Sequence, residues 1–167
     1  MTGQTLWQPA YVALGSNLDD PVQQVRRGFE ALRTLPGSRL VACSSLYRSR
    51  PLGPVEQPDF INAVAGLLTQ CDPETMLRHL KHTEQTMGRA TPVVRWGPRR
   101  IDLDLLALGL ERREGEQLTL PHPGIAERVF VLAPLAEIAP QLMIAGVGRV
   151  RTLLSRLDAS AIERLPA

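Results

Sequence analysis

Ile101-Asp102-Leu103-Asp104-Leu105 alternates apolar and acidic residues one for one, and Leu106-Ala107-Leu108-Gly109 carries the run on to a turn. A period of two marks a strand with one buried face, so Ile101, Leu103 and Leu105 are predicted to face a core while Asp102 and Asp104 point together the other way. At a rise of roughly 3.3 Å per residue their Cα atoms stand about 6.6 Å apart, a separation from which two carboxylates can share or bracket hard divalent cations. Leu106 continues the acidic face apolarly, which puts the pair at the start of the strand, beside the loop before it. That loop has the opposite charge. From Gln85 to Ile101 there is no acidic residue, while Arg89, Arg95, Arg99 and Arg100 supply four guanidinium groups. Two carboxylates on a rigid strand with arginines on an adjoining loop suit a polyphosphate carrying magnesium. The plain alternative is the solvated face of an antiparallel sheet. Side by side, however, the two carboxylates repel unless a cation or arginines relieve them.

Working outward, the 167 residues are predicted to form a single domain, 1–167, with 1–8 a loose leader, long enough to bury a core without staples. The formal net charge of +2 is too small to imply a nucleic-acid or membrane partner, so local arginine clustering carries the information. Cys43 and Cys71 sit in or beside apolar runs and read as reduced core thiols, which favours a cytoplasmic protein. No apolar run approaches bilayer-spanning length, and no signal peptide is read at the start.

Pro9 to Leu14 reads as a strand and Gly15-Ser16-Asn17 as the turn out of it. Asp19-Asp20-Pro21 starts a helix whose stripe is Val22, Val25, Phe29 and Leu32, stopped by Pro36-Gly37. Leu40 to Tyr47 and Asp59 to Leu68 read as strands, joined by a proline-stiffened loop, Arg48 to Pro58, whose length suggests a functional lid. Asp72-Pro73 caps a second helix burying Met76, Leu77, Leu80 and Met87 and ending at Gly88, with His79 and His82 as ordinary helix histidines. After the acidic strand come a polar turn, a short strand Leu118 to Leu120 and a helix Ile125 to Ile138 bent or ended by Pro134. A small strand, Leu142 to Ile144, and a last helix, Arg149 to Leu157, complete the chain. The order predicts an α+β fold: a ferredoxin-like βαββαβ sandwich with a largely antiparallel sheet flanked by helices.

Arg95-Trp96-Gly97-Pro98-Arg99 followed by Asp102-Leu103-Asp104 resembles the signature of the 6-hydroxymethyl-7,8-dihydropterin pyrophosphokinase family of folate biosynthesis. Further segments match in register: Ala13 to Leu18, Ser44 to Tyr47, Pro51-Leu52-Gly53, Gln57 to Ala63, Gly88-Arg89, Pro121-His122-Pro123 and Arg128 to Leu135. The resemblance implies transfer of pyrophosphate from ATP to the pterin hydroxyl, giving AMP and the pterin diphosphate. It implies two magnesium ions on Asp102 and Asp104 and in-line attack at the β-phosphorus. Arg89 and Arg99 match phosphate-contacting positions and stand with the two aspartates as the catalytic set; Glu84, His122 and Arg128 match ATP-side positions. Ser49, Leu52, Phe60, Asn62, Trp96 and Phe130 are the pterin-side candidates. Ser49-Arg50 replaces a usual Thr-Pro, Phe60 a common Tyr, and Thr91-Pro92 stands where a further basic residue is often found. The expected partners are these small molecules and not nucleic acid or membrane, with the chain a monomer. Competing readings are another two-metal enzyme, a nucleotidyltransferase or nuclease, and a single-stranded nucleic-acid binder using the arginine loop and Trp96.

Overall fold

Two proline-led caps start the first two helices. In α1 (Pro21–Arg33) the Asp20 carboxylate accepts from the Gln23 N–H at 3.4 Å, and in α2 (Pro73–Thr86) the Asp72 carboxylate accepts from Thr75 N–H at 2.7 Å. The structure, a computed structural model, describes residues 5–88 and 97–167. Its strands are β1 (Gln8–Ser16), β2 (Ser38–Cys43), β3 (Tyr47–Ser49), β4 (Phe60–Thr69), β5 (Asp102–Leu108), a small hairpin of β6 (Met143–Ile144) and β7 (Gly148–Arg149), and β8 (Ile162–Arg164). Two more helices, α3 (Val129–Ile138) and α4 (Val150–Ser155), follow β5 and β7.

The main sheet runs β5-β1-β4-β3-β8, with β2 also pairing β4, and every pairing is antiparallel. With β2 and β3 taken as one broken strand, this is the predicted βαββαβ order. Val25, Phe29 and Leu32 of α1 and Met76 and Leu80 of α2 join Val12, Leu14, Ala63, Leu67, Leu103 and Leu105 in a core on one face. Val131, Leu132 and Leu135 of α3 and Val150 and Leu153 of α4 cover Val64 and Leu106 on the other. Asp102 and Asp104 share the α3 side with Leu106, as the alternation requires. A register shift between Tyr11 and Val12 then lets β5 continue with Leu108 back in the first core.

Several local expectations are corrected. The strand read as Leu40 to Tyr47 is two strands, because Ser44 substitutes its side chain for backbone in the ladder: its Oγ accepts from Val64 N–H while its own N–H donates to Val64 C=O, both at 2.9 Å. Ser45 is drawn instead to Glu137 of α3, donating to it from N–H and hydroxyl. The turn expected at Gly15-Ser16 begins later, since both residues remain paired in β1. Gln8, assigned to the leader, is the first residue of β1. The helix expected from Ile125 starts at Val129; His122 to Glu127 form successive turns, and Pro134 lies buried inside the helix without ending it. Leu118 to Leu120 contributes only a bridge from Leu120 to Arg113. Met87, expected in the buried stripe of α2, packs against the core from the cap position and is partly buried there. Cys71 is buried, but Cys43 is exposed at the end of β2, past the apolar stripe of α1 and beside Arg33 and Glu30.

β8 was not predicted. It pairs with β3, and Arg164 reaches both Ser45 and Glu137. Burial pushes the Glu137 carboxyl up, but bonds from Ser45 and the Tyr47 hydroxyl, with Arg164 nearby, outweigh it and hold its pKa below the usual range. The Tyr47 phenol is correspondingly pushed up to about 12 by burial and by that bond to Glu137. This cluster ties β3 to α3.

Candidate active site

Residues with small side chains make room over the sheet. Asp102 pairs with Gly15 and Gly15 with Asn62; Asp104 pairs with Ala13 and Ala13 with Val64. The acidic pair and Asn62 therefore stand on the same side of the sheet with only Gly15 and Ala13 between their strands. Gly15 forms a floor without a side chain: a Cβ there would lie 3.5 Å from Asn62 Oδ1 and 3.9 Å from the Phe60 ring. Above this floor opens a cavity of about 500 Å³, within the range usual for small-molecule sites.

All the described candidates line this cavity: Ser49, Leu52, Phe60, Asn62, Glu84, Arg99, Asp102, Asp104, His122, Arg128 and Phe130. Arg89, Trp96 and Arg95 lie outside the described residues, as do Thr91 and Pro92. Arg100, expected to add charge beside the pair, instead faces away to Asp19 at 2.7 Å. Glu84 is buried at 4% exposure on α2, the helix that packs beside outer strand β5. Arg50, Lys81 and Gln117 line the cavity without being among the candidates, and Leu77, expected on the buried side of α2, lines it too. Leu77, Lys81 and Glu84 recur at helical spacing, which is the signal that could have found Lys81. Lys81 is the only lysine in the chain.

At the acidic end Arg99 donates from Nη1 to Asp102 Oδ2 at 2.6 Å. Its Nε is buried and has no hydrogen-bond partner among the described residues, which leaves a donor for an anion. Arg99 is held by its backbone: its N–H donates to Asn17 Oδ1 at 2.8 Å, and its C=O accepts from Asn17 N–H at 3.0 Å. Asn17 Nδ2 in turn donates to Gln57 Oε1 at 2.9 Å and to Pro58 C=O at 3.0 Å. One buried amide thus joins the segments around residues 17, 57 and 99.

At the other end Asn62 Nδ2 donates to Ser49 Oγ at 2.7 Å, a buried pair that orients the amide in the cavity wall. Phe60 and Phe130 add aromatic surface from β4 and α3. The arrangement thus offers charge and hard oxygen donors on one side, and an amide edge with two rings on the other.

The matching family model, 7,8-dihydro-6-hydroxymethylpterin-pyrophosphokinase (HPPK), covers residues 11–140. The chain belongs to this family. A Pseudomonas aeruginosa HPPK relative, 2-amino-4-hydroxy-6-hydroxymethyldihydropteridine pyrophosphokinase, is 44% identical over 159 residues, covering 95% of this chain and 98% of the relative. A Haemophilus influenzae protein of the same name is 45% identical over 135 residues, covering 81% and 84% respectively. Among solved structures, wild-type Plasmodium falciparum HPPK-DHPS with pterin and p-hydroxybenzoate superposes with a TM-score of 0.74 at 14% identity, which speaks to the HPPK fold alone. The match covers 98% of this chain and 46% of that one, so this chain spans about half the length of such structures.

In this HPPK chain His122 is poised as a neutral donor. Its Nδ1 accepts from the Gly124 N–H at 3.1 Å, so the proton of the neutral ring sits on Nε2. Burial first, and then the nearby Arg128, lower its pKa, with Asp102 pulling the other way. The imidazolium is therefore disfavoured in the folded state, and the stability at stake is present above the ordinary histidine value of about 6.5 and lost as pH falls below it. An NMR titration should give His122 a midpoint below about 6.5 in the free protein, rising once a polyanion enters the cavity. A free-protein midpoint at or above 6.5 would contradict this electrostatic picture.

Proposed function

We propose that the chain, as one pyrophosphokinase domain, transfers the pyrophosphoryl group of ATP to the hydroxyl of 6-hydroxymethyl-7,8-dihydropterin, releasing AMP. The observation that carries this reading is the single cavity in which Asp102, Asp104 and Arg99 share one wall system with Asn62, Ser49 and Phe60 across the Gly15 floor. The names of the 41–45% identical relatives point to the same reaction.

The donor set fits magnesium. Asp102 and Asp104 offer hard oxygens, and among the described residues no group of three or more Asp, Glu, His or Cys forms a closed protein cage. That suits an ion that takes one or two carboxylates and completes its shell with phosphate oxygens and water. When bound there, two such ions would offset triphosphate charge and polarise the reacting oxygens. Asp102 and Asp104 would hold them on the pleat of β5. Arg99 would aim its buried Nε–H at a phosphate oxygen and stabilise charge that grows during transfer. His122 and Arg128 would bind the nucleotide from the segment entering α3, and Glu84 and Lys81 would border it from α2. Asn62 would present its amide to the pterin edge, with Phe60 and Phe130 against the ring and the loop bearing Leu52 closing over it. A bond forms between the alcohol oxygen and the β-phosphorus, the bond from that phosphorus to the oxygen bridging the α-phosphate breaks, and AMP departs.

Arg89 and Trp96 remain candidates for the phosphate and pterin contacts respectively, on the strength of their motif positions. Incubation with ATP, magnesium and the reduced pterin alcohol should yield AMP and pterin diphosphate in equal amounts, followed by chromatography. Release of ADP, or turnover of nucleotides onto a nucleic-acid end in place of the pterin, would overturn the assignment.

A further inference from the structure

Gly124 touches both of the groups that the α3 approach contributes to the cavity, and it does so in two independent ways. It sits in a turn closed by Ile125 N–H donating to His122 C=O at 3.1 Å, and the His122 N–H is itself pinned to Leu106 C=O at 2.8 Å. From that position the Gly124 N–H donates to His122 Nδ1 at 3.1 Å. A Cβ at Gly124 would lie 2.6 Å from Arg128 Nε, 3.0 Å from Cζ and 3.3 Å from Cδ, so the guanidinium stem lies directly over the bare Cα. Gly124 is not among the glycines with positive φ, so the backbone would accept another residue. The requirement here is for space.

We propose that Gly124 is the positioning residue for the nucleotide end of the cavity. Its N–H keeps His122 Nδ1 as an acceptor and so leaves Nε2–H as the donor, while its missing side chain leaves the slot in which Arg128 lies. Its ligand class is the nucleoside triphosphate polyanion, an assignment that rests on the proposed reading of the cavity. Any side chain at 124 starts with the Cβ that the Arg128 stem excludes. Because the obstructing atoms belong to the far part of a flexible side chain, Arg128 can swing aside while the fold persists.

The test compares the wild type, Gly124→Ala, Arg128→Ala and the double variant by calorimetric ATP binding, steady-state kinetics and NMR titration of His122. Gly124→Ala should weaken ATP binding by about tenfold, approaching Arg128→Ala, and raise KM for ATP more than it lowers kcat. The double variant should be no weaker than Arg128→Ala, because both changes act on one group. Both single variants should raise the His122 midpoint, since each takes the Arg128 charge away from the ring. A merely structural glycine would leave that midpoint unmoved. Should Gly124→Ala fold poorly, recovery of its melting temperature in the double variant would identify the Arg128 clash as the cause and support the proposal; no recovery would overturn it. Wild-type ATP affinity in Gly124→Ala alongside weakened binding in Arg128→Ala overturns the positioning role and leaves the cavity assignment standing. Unchanged ATP binding in both single variants instead removes the nucleotide reading of this end, and the proposal with it.

Discussion

Asp102→Ala should lower pyrophosphoryl transfer by roughly a thousandfold or more while leaving the fold in place. The carboxylate stands at the cavity wall and not in either core, with its side chain at 16% exposure and Arg99 Nη1 at 2.6 Å. Loss of this partly exposed ion pair costs about 1 kcal/mol of stability, because water can reach the guanidinium left behind. The loss to chemistry is larger. One of two oxygen-donor arms disappears, and with it the fixed spacing that the β5 pleat gives the pair. Asp102→Asn separates these effects, since an amide keeps the shape and can still accept from Arg99 but carries no charge to hold a cation. AMP release should fall in both variants, with circular dichroism melts close to the wild type. Activity within tenfold of the wild type in either variant would end the two-carboxylate reading.

The second large effect is expected at Asn17. The residue is 2% exposed, and its three side-chain hydrogen bonds bind the backbone of Arg99, the Gln57 side chain and the Pro58 carbonyl. Asn17→Ala leaves part-buried groups on two other segments without their partner at once, at a cost of about 1–3 kcal/mol. For a chain of this size that corresponds to a fall of about 2–12 °C in melting temperature. The consequence for turnover should be wider than for stability, because Arg99 lines the proposed nucleotide end of the cavity while Pro58 belongs to the loop that carries Leu52. KM should therefore rise for both substrates. Asn17→Asp gives the finer measurement: its oxygen still accepts from Arg99 N–H, but it cannot donate to Gln57 or Pro58. That variant should spare ATP binding and weaken pterin binding. Equal losses for the two substrates in Asn17→Asp would show that the segments are not held separately through this amide.

The parts of this molecule visible in its sequence are those set by local rules. Asp20-Pro21 and Asp72-Pro73 start helices where cap chemistry says they should. The alternation from Ile101 sends Asp102 and Asp104 to one side of β5 because a strand leaves no other choice. The convergence of Ser49, Asn62, His122 and Phe130 on one cavity was anticipated through family motifs, since nothing local ties positions so far apart. What stayed hidden depends on partners distant in the chain. Ser44 and Ser45 look like ordinary strand residues until Val64 and Glu137, 20 and 92 positions away, draw them out of line. Glu84 resembles any polar helix position until α2 is laid beside the outer strand, and Cys43 resembles a core thiol until β2 proves too far out to be covered on both sides. Ile162-Glu163-Arg164 is too short and too charged to announce a strand, and only the waiting edge of β3 makes it one.

That last strand has a practical consequence. Ile162 lies opposite Ser49, whose hydroxyl accepts from the Asn62 amide, so the last hem of the sheet is stitched directly to the cavity wall. A purification tag or fusion partner hung directly after Arg164 would pull on that seam, and the disturbance would register as altered pterin affinity in an enzyme whose melting curve looked sound. Variants compared for pterin affinity ought to share the same tail.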